Sequence, residues 1–231
     1  MIAENVAPSQ ASSSNNRVTV IFLVAIIAVL TITLVVVGAT FFRAPTFRGK
    51  VIEPRTIAPA FTFTNQHRQT VQLADYRGKV VVIYFGFTYC PDACPKTLGT
   101  WKSVYNTLGA EADQVRFVFI SIDPKRDTPE RMKEFLGGFN PNFVGLTGTM
   151  DAIDDAALSY LVFKYADDEE AYTSGHQHTN SNLPELTPNT YTIYHSSLTY
   201  VIDRAGKIAL VFPLETWVQD VVADLRLLLK Q

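Results

Sequence analysis

The chain has two cysteines and they stand close together, in Cys90-Pro-Asp-Ala-Cys94. They fall where the apolar run Lys79–Phe87 hands over to a segment with Leu98, Trp101, Val104, Tyr105 and Leu108 at helical spacing. The handover from a buried strand to a helix is the carboxyl edge of a parallel sheet, the place where α/β proteins bind ligands. A spacing of i and i+4 puts both sulfurs on the same side of one helical turn. The partial positive charge of a helix N-terminus favours the thiolate form there. Pro91 and Pro95 are tolerated because first-turn amides have no helical partner to lose.

Such a pair can serve as a structural disulfide, a redox couple or part of a metal site. Closing a loop of about 5 residues is worth roughly 2 kcal/mol in chain entropy, against roughly 4.7 for a loop of 100, so a disulfide here would staple nothing distant. Redox and metal chemistry remain. Two thiolates make two-thirds of a trigonal soft-metal site, and a histidine is the natural third ligand. Of the four histidines, His67 lies in a polar turn and reads as solvated. His176 and His178 share the polar stretch Gly175-His-Gln-His-Thr-Asn180, as surface residues or as auxiliary metal contacts. His195 stands immediately before the apolar stretch Ser197–Asp203. Thiolates suit Cu(I) and imidazole also accepts Cu(II). Structural zinc would want a fourth ligand, which His176 or His178 could supply, so donor chemistry alone leaves both metals open.

The elements that must position these groups follow from patterning. Val18–Phe42 carries no charge; about 20 apolar residues span a bilayer, and a cleaved signal has an apolar run of only ~7–15. An uncleaved anchor is therefore expected over 18–42, after a short disordered stretch, 1–17, rich in Ser, Asn and Ala. Residues 43–59, with Pro45, Pro54 and Pro59, read as a linker. The soluble domain then occupies 60–231. Phe61–Thr64 and Thr70–Leu73 alternate across a polar turn as a hairpin. Lys79–Phe87 and Val115–Ile122 are buried strands. A helix opens at Asp127-Thr-Pro-Glu130 and stops at Gly137-Gly138. Another helix is expected over Met150–Phe163, then a polar loop over 166–190. Ser197–Asp203 and Lys207–Phe212 flank the turn Arg204-Ala-Gly206, and an amphipathic helix closes the chain with Val218, Val221, Val222, Leu225 and Leu229 inward.

That order is an α/β, thioredoxin-like fold with an N-terminal hairpin extension and a single N-terminal transmembrane helix. Right-handed crossover makes the two long strands parallel neighbours. In this fold the loop ahead of the Ser197 strand faces the cysteine turn, which singles out His195 as the partner of Cys90 and Cys94. Thioredoxins use Cys-x-x-Cys and a Pro in that loop. Three intervening residues and a histidine favour metal binding, without removing thiol exchange.

The segment Tyr84-Phe-Gly-Phe-Thr-Tyr-Cys-Pro-Asp-Ala-Cys-Pro-Lys-Thr-Leu98 resembles the signature of the Sco/SenC copper proteins of cytochrome c oxidase assembly. So do Ser121-Ile-Asp-Pro-Lys-Arg-Asp-Thr-Pro-Glu130, Gly145-Leu-Thr-Gly148 and Tyr194-His-Ser-Ser-Leu-Thr-Tyr-Val-Ile-Asp203. The similarity runs over roughly residues 55–230 and includes the anchor. It implies copper, as Cu(I) or Cu(II), held by Cys90, Cys94 and His195, with Asp123 near the site. It also implies a metallochaperone whose partner is the oxidase subunit carrying the dinuclear copper site. The alternative is a thiol–disulfide oxidoreductase acting on the cysteines of that same subunit. Many members carry Asp directly before the histidine; here Tyr194 stands in its place.

Charge sets further limits. With 20 basic and 22 acidic residues the chain is nearly neutral and shows no footprint for nucleic acid. The leader before the apolar run is too short and too poor in Arg for an organelle transit peptide, which points to the bacterial inner membrane. Arg43, Arg48, Lys50 and Arg55 after the run outnumber Arg17 before it and would keep the domain inside. Cysteines able to form a disulfide, together with the resemblance, place the domain in the periplasm instead.

Overall fold

The computed structural model describes residues 14–41, 46–168 and 191–231. It separates into two units, one up to Thr46 and one from Phe47 to Gln231. The first is helix α1 (Ser14–Phe41), whose stretch Val18–Val37 is long and apolar enough to cross a membrane, with its side chains exposed. The helix starts earlier than expected: Ser14–Arg17 of the stretch read as disordered is already helical. Residues 1–13 lie outside the described residues.

Among the described residues, the second unit carries ten strands and four α-helices. The strands are β1 (Lys50–Val51), β2 (Thr62–Asn65), β3 (Thr70–Gln72), β4 (Val80–Gly86), β5 (Val115–Ser121), β6 (Val144–Thr147), β7 (Lys164–Ala166), β8 (Ile193–His195), β9 (Thr199–Ile202) and β10 (Ile208–Phe212). The helices are α2 (Ala93–Leu108), α3 (Pro129–Gly137), α4 (Met150–Ser159) and α5 (Val218–Leu229). Eight strands form one sheet in the order β1-β10-β9-β4-β5-β6-β2-β3, and β7 pairs with β8 apart from it. β4, β5 and β6 are parallel, while β9 runs antiparallel to β4.

Every residue of β4 is buried, and its alternation sorts the core into two layers. Val80, Val82 and Tyr84 face α2, α3 and α5 through Leu98, Trp101, Met132, Leu136 and Leu225. Val81, Ile83 and Phe85 face the other layer, with α4 and the hairpin residues Phe61 and Phe63. The strand is thus clamped on both faces and both edges, and its carboxyl end presents the cysteine turn on a rigid base. Thr128 and Thr149 cap α3 and α4 by accepting the amides of Arg131 and Ala152.

Three expectations need correction. The linker read over 43–59 belongs to the domain from Phe47 onward. Lys50 and Val51 pair with Val211 and Leu210, and the buried Asp224 carboxylate accepts the amides of Arg48 and Gly49 at 2.7–3.0 Å. The helix expected to reach Phe163 stops at Ser159. Leu161 takes a left-handed conformation (φ 57), its amide donating to Leu158 and that of Val162 to Ala157. This is a Schellman turn, which usually announces itself with Gly and here does not. The loop expected over 166–190 begins with ordered chain: β7 ends at Ala166 and is paired with β8. The remainder, 169–190, lies outside the described residues.

Gly86, the last residue of β4, is where strand and site meet. A Cβ there would lie 2.7 Å from Cys94 Sγ, 2.8 Å from Tyr84 Cε1 and 2.9 Å from Phe119 Cζ. Gly86→Ala should therefore lower stability by about 1–3 kcal/mol through overpacking. The check is the denaturation midpoint, and a midpoint equal to that of the parent would show that the turn has slack.

Candidate metal centre

The turn after β4 explains the two thiols. Cys90 donates its amide to the Phe87 carbonyl at 3.2 Å, and α2 begins only at Ala93. The cysteines therefore do not share a helical turn as their spacing suggested: Cys90 precedes the helix and Cys94 is its second residue. The amide of Cys94 has no helical partner and donates to Cys90 Sγ at 3.4 Å. Cys94 is buried and Cys90 half-buried.

A second layer of hydrogen bonds holds the turn from behind. Thr88 donates its amide (3.1 Å) and its hydroxyl (2.6 Å) to the Asp127 carboxylate, which also accepts Ser121 Oγ at 2.6 Å. Burial pushes the Asp127 carboxyl up to about 6, while these hydrogen bonds pull the other way. The sequence placed Asp127 only as a helix-start residue. In fact Thr128 caps α3 and Asp127 turns inward to tie down the cysteine turn.

His195 comes from the far side of the chain. It is the last residue of β8, not a loop residue, and sits opposite Lys164 in the β7–β8 ladder. Its Nδ1 lies 3.1 Å from the Ser196 carbonyl. A carbonyl only accepts, so Nδ1 is the donor in this contact, and Nε2 is the ring nitrogen left available to the thiols. The rings of Tyr84 and Phe87 stand edge-on to the imidazole at 5.9 and 6.1 Å. Tyr194 is exposed and stacked on Tyr165 at 5.0 Å. Strand alternation turns it away from the face His195 uses.

The ligand atoms of Cys90, Cys94 and His195 all lie within 4.8 Å of one another. A soft ion at about 2.3 Å from sulfur and about 2.0 Å from nitrogen needs ligand atoms roughly 4 Å apart in a trigonal set, so the cluster is close to that spacing. Its electrostatics divide the thiols. Hydrogen bonding from Cys94 is the largest cause holding Cys90 down to about 4, helped by His195 and by the amides of Cys94 and Asp92. Burial, followed by its contact with Cys90, pushes Cys94 well above the ordinary thiol range. One sulfur is an accessible anion and the other a shielded thiol.

The other candidates stand elsewhere. His67 is exposed in the β2–β3 turn and takes no part. His176 and His178 lie outside the described residues. Asp123 is fully buried, ion-paired with Arg126, and accepts the Tyr191 hydroxyl at 2.7 Å. It stands behind the site without belonging to the ligand cluster. Sequence reasoning missed Tyr84, Phe87, Asp127 and Tyr191, whose nearness to the site depends on pairings between distant segments. The split between the thiols has a kinetic signature. Alkylation of Cys90 by iodoacetamide should hardly change between about pH 6 and 8, where an ordinary thiol speeds up by roughly eightyfold. Cys94 should react only after unfolding. Mass-mapped labelling checks both, and a steep Cys90 profile would contradict the assignment.

Comparison with known proteins agrees with this geometry. A family model described as SCO1/SenC matches residues 49–230. An SCO2-like protein of Rickettsia conorii is 35% identical over 169 residues, covering 72% of this chain and 74% of that one. The structure of Bradyrhizobium japonicum ScoI with copper bound superposes with a TM-score of 0.61 at 33% identity, covering 74% of this chain and 98% of that one. The solution structure of apo Sco1 from Thermus thermophilus gives 0.65 at 30% identity, covering 80% and 99%. With the family model matched over residues 49–230 and a 35% identical relative covering most of both chains, the chain belongs to the SCO1/SenC family.

Proposed function

We propose that this protein is a copper metallochaperone. In this reading Cys90, Cys94 and His195 hold the ion, α1 anchors the chain in the bacterial inner membrane, and the domain faces the periplasm. The observation that carries it is the convergence of two thiols and one imidazole within 4.8 Å. An S₂N set accommodates both Cu(I) and Cu(II), and the related Bradyrhizobium japonicum protein has been solved with copper bound. The recipient implied by the family is the oxidase subunit with the dinuclear copper site. Copper is cargo here, and the arrangement suits transfer. Cys94 anchors the ion from the buried side, while Cys90 and His195 are half-buried and can be exchanged one at a time for ligands of an incoming partner.

The split between the thiols also favours a second reading, reduction of the recipient's cysteines. The Cys90 thiolate would attack a partner disulfide and form a mixed disulfide. Cys94 would then lose its proton and attack the Cys90 sulfur, releasing the partner as a dithiol and leaving Cys90–Cys94 oxidised.

His195→Ala separates the two. It removes one ligand and should weaken copper by more than the roughly 10–100-fold that outer residues of a metal site cost. Thiol exchange, which needs only the cysteines, should persist. Cells with His195→Ala should lose oxidase activity and regain part of it with added copper. Normal oxidase in those cells, with loss in Cys90→Ser cells, would make the protein chiefly a reductase. Orientation has its own check: alkaline phosphatase fused after Gln231 should be active, and a silent phosphatase with a fluorescent cytoplasmic reporter would reverse the topology.

A further inference from the structure

Arg126 is a nearly buried cation, its side chain 10% exposed, ion-paired with the fully buried Asp123. Such a pair is weak grounds for stability, because desolvation offsets most of the attraction. Its geometry points to another use. The guanidinium lies 3.7 Å from the centroid of the Tyr191 ring, and Nη1 donates to the Tyr191 carbonyl at 2.9 Å. The Tyr191 hydroxyl in turn donates to Asp123 at 2.7 Å. Tyr191 is therefore gripped by ring face, carbonyl and hydroxyl, and it opens the segment that becomes β8 and ends in His195. On its other side Arg126 reaches the cysteine turn, 5.7 Å from the Phe87 ring and 5.0 Å from the Tyr89 ring. Tyr89 precedes Cys90, and Phe87 packs edge-on against His195.

We propose that Arg126 is a positioning residue for the copper centre, clamping Tyr191 and the strand that carries His195 against the cysteine turn. The strand is also held by its three-residue ladder with β7, by hydrogen bonds between Thr192 and Asp167 and between Ser196 and Phe163, and by the buried Ile193. A two-stranded pairing is marginal by itself. Arginine suits the task because its planar fork stacks and donates at once, which lysine cannot do. The clamp fixes the approach of the imidazole to the two sulfurs without touching the ion, and so rests on the copper reading above.

The test is a double-mutant cycle on the full chain in detergent, with Arg126→Met and His195→Ala singly and together. Cu(II) affinity, the sulfur-to-copper charge-transfer band and the His195 imidazole NMR signals of the metal-free protein are read. Arg126→Met should weaken copper about tenfold, shift the band, and broaden or double the metal-free imidazole signals. Added to His195→Ala it should weaken copper no further. Equal losses in both backgrounds, or none in either, would overturn the clamp. If Arg126→Met does not fold, Tyr191→Phe, which removes only the hydroxyl bond to Asp123, enters the same cycle, and unchanged imidazole signals and affinity there also overturn it. Failure of the unmodified protein to bind copper would sink the copper reading separately, while the metal-free NMR arm still reports on the clamp.

Discussion

The chemistry of the site depends on the hydrogen bonds that Cys90 Sγ receives. They come from the Cys94 side chain above all, then from His195 and from the Cys94 amide, which has no helical partner at the start of α2. Helices leave their first amides without internal partners. Here one of them is satisfied by a thiolate instead of a Ser or Asp oxygen. The anion is stabilised by the cysteine four residues on, by the helix end and by His195, which is why it lies so far below an ordinary thiol. Cys94, one turn deeper and buried, carries the opposite shift. Loading a soft cation then requires a proton to leave Cys94, so affinity for the ion and the local charge state are coupled.

The sheet makes these contacts durable. β4 is enclosed by β5 and β9 at its edges and by two apolar layers on its faces, so the turn at its carboxyl end has little freedom to relax. Gly86 lets Cys94 approach the strand end closely, and Asp127 ties Thr88 down just before Cys90. The histidine is delivered differently. It lies about a hundred residues along the chain from the thiols, on a three-residue strand whose partner is equally short. The rigid half of the site is the thiol pair and the adaptable half is the imidazole, a division that suits a protein that must first hold an ion and then give it up.

Features with a local signature were legible in the sequence. The continuous apolar run of β4, the Thr128-Pro129 helix start and the Arg204-Ala-Gly206 turn each read correctly because neighbouring residues carry the signal. The three residues that converge within 4.8 Å were singled out by chemical type and by their place in the element order. Features made by distant pairing were not legible. Lys50 and Val51 form a strand only because Val211 and Leu210 are beside them, and β7 and β8 are too short to show a period. Leu161 ends α4 in a conformation usually signalled by Gly, so the helix was overrun. Nothing local in the sequence marks Arg126 as internal, and only its burial and its stacking on Tyr191 reveal it.

The central claim is that one copper ion is held by both thiols and the imidazole. The most direct test is X-ray absorption at the copper edge of the loaded full-length chain, collected for the reduced and the oxidised ion. The expected shell contains two sulfurs and one imidazole nitrogen in both states, with the multiple-scattering pattern of the imidazole ring lost in His195→Ala. A shell of nitrogen and oxygen alone, or one in which a single sulfur accounts for the scattering, would contradict it.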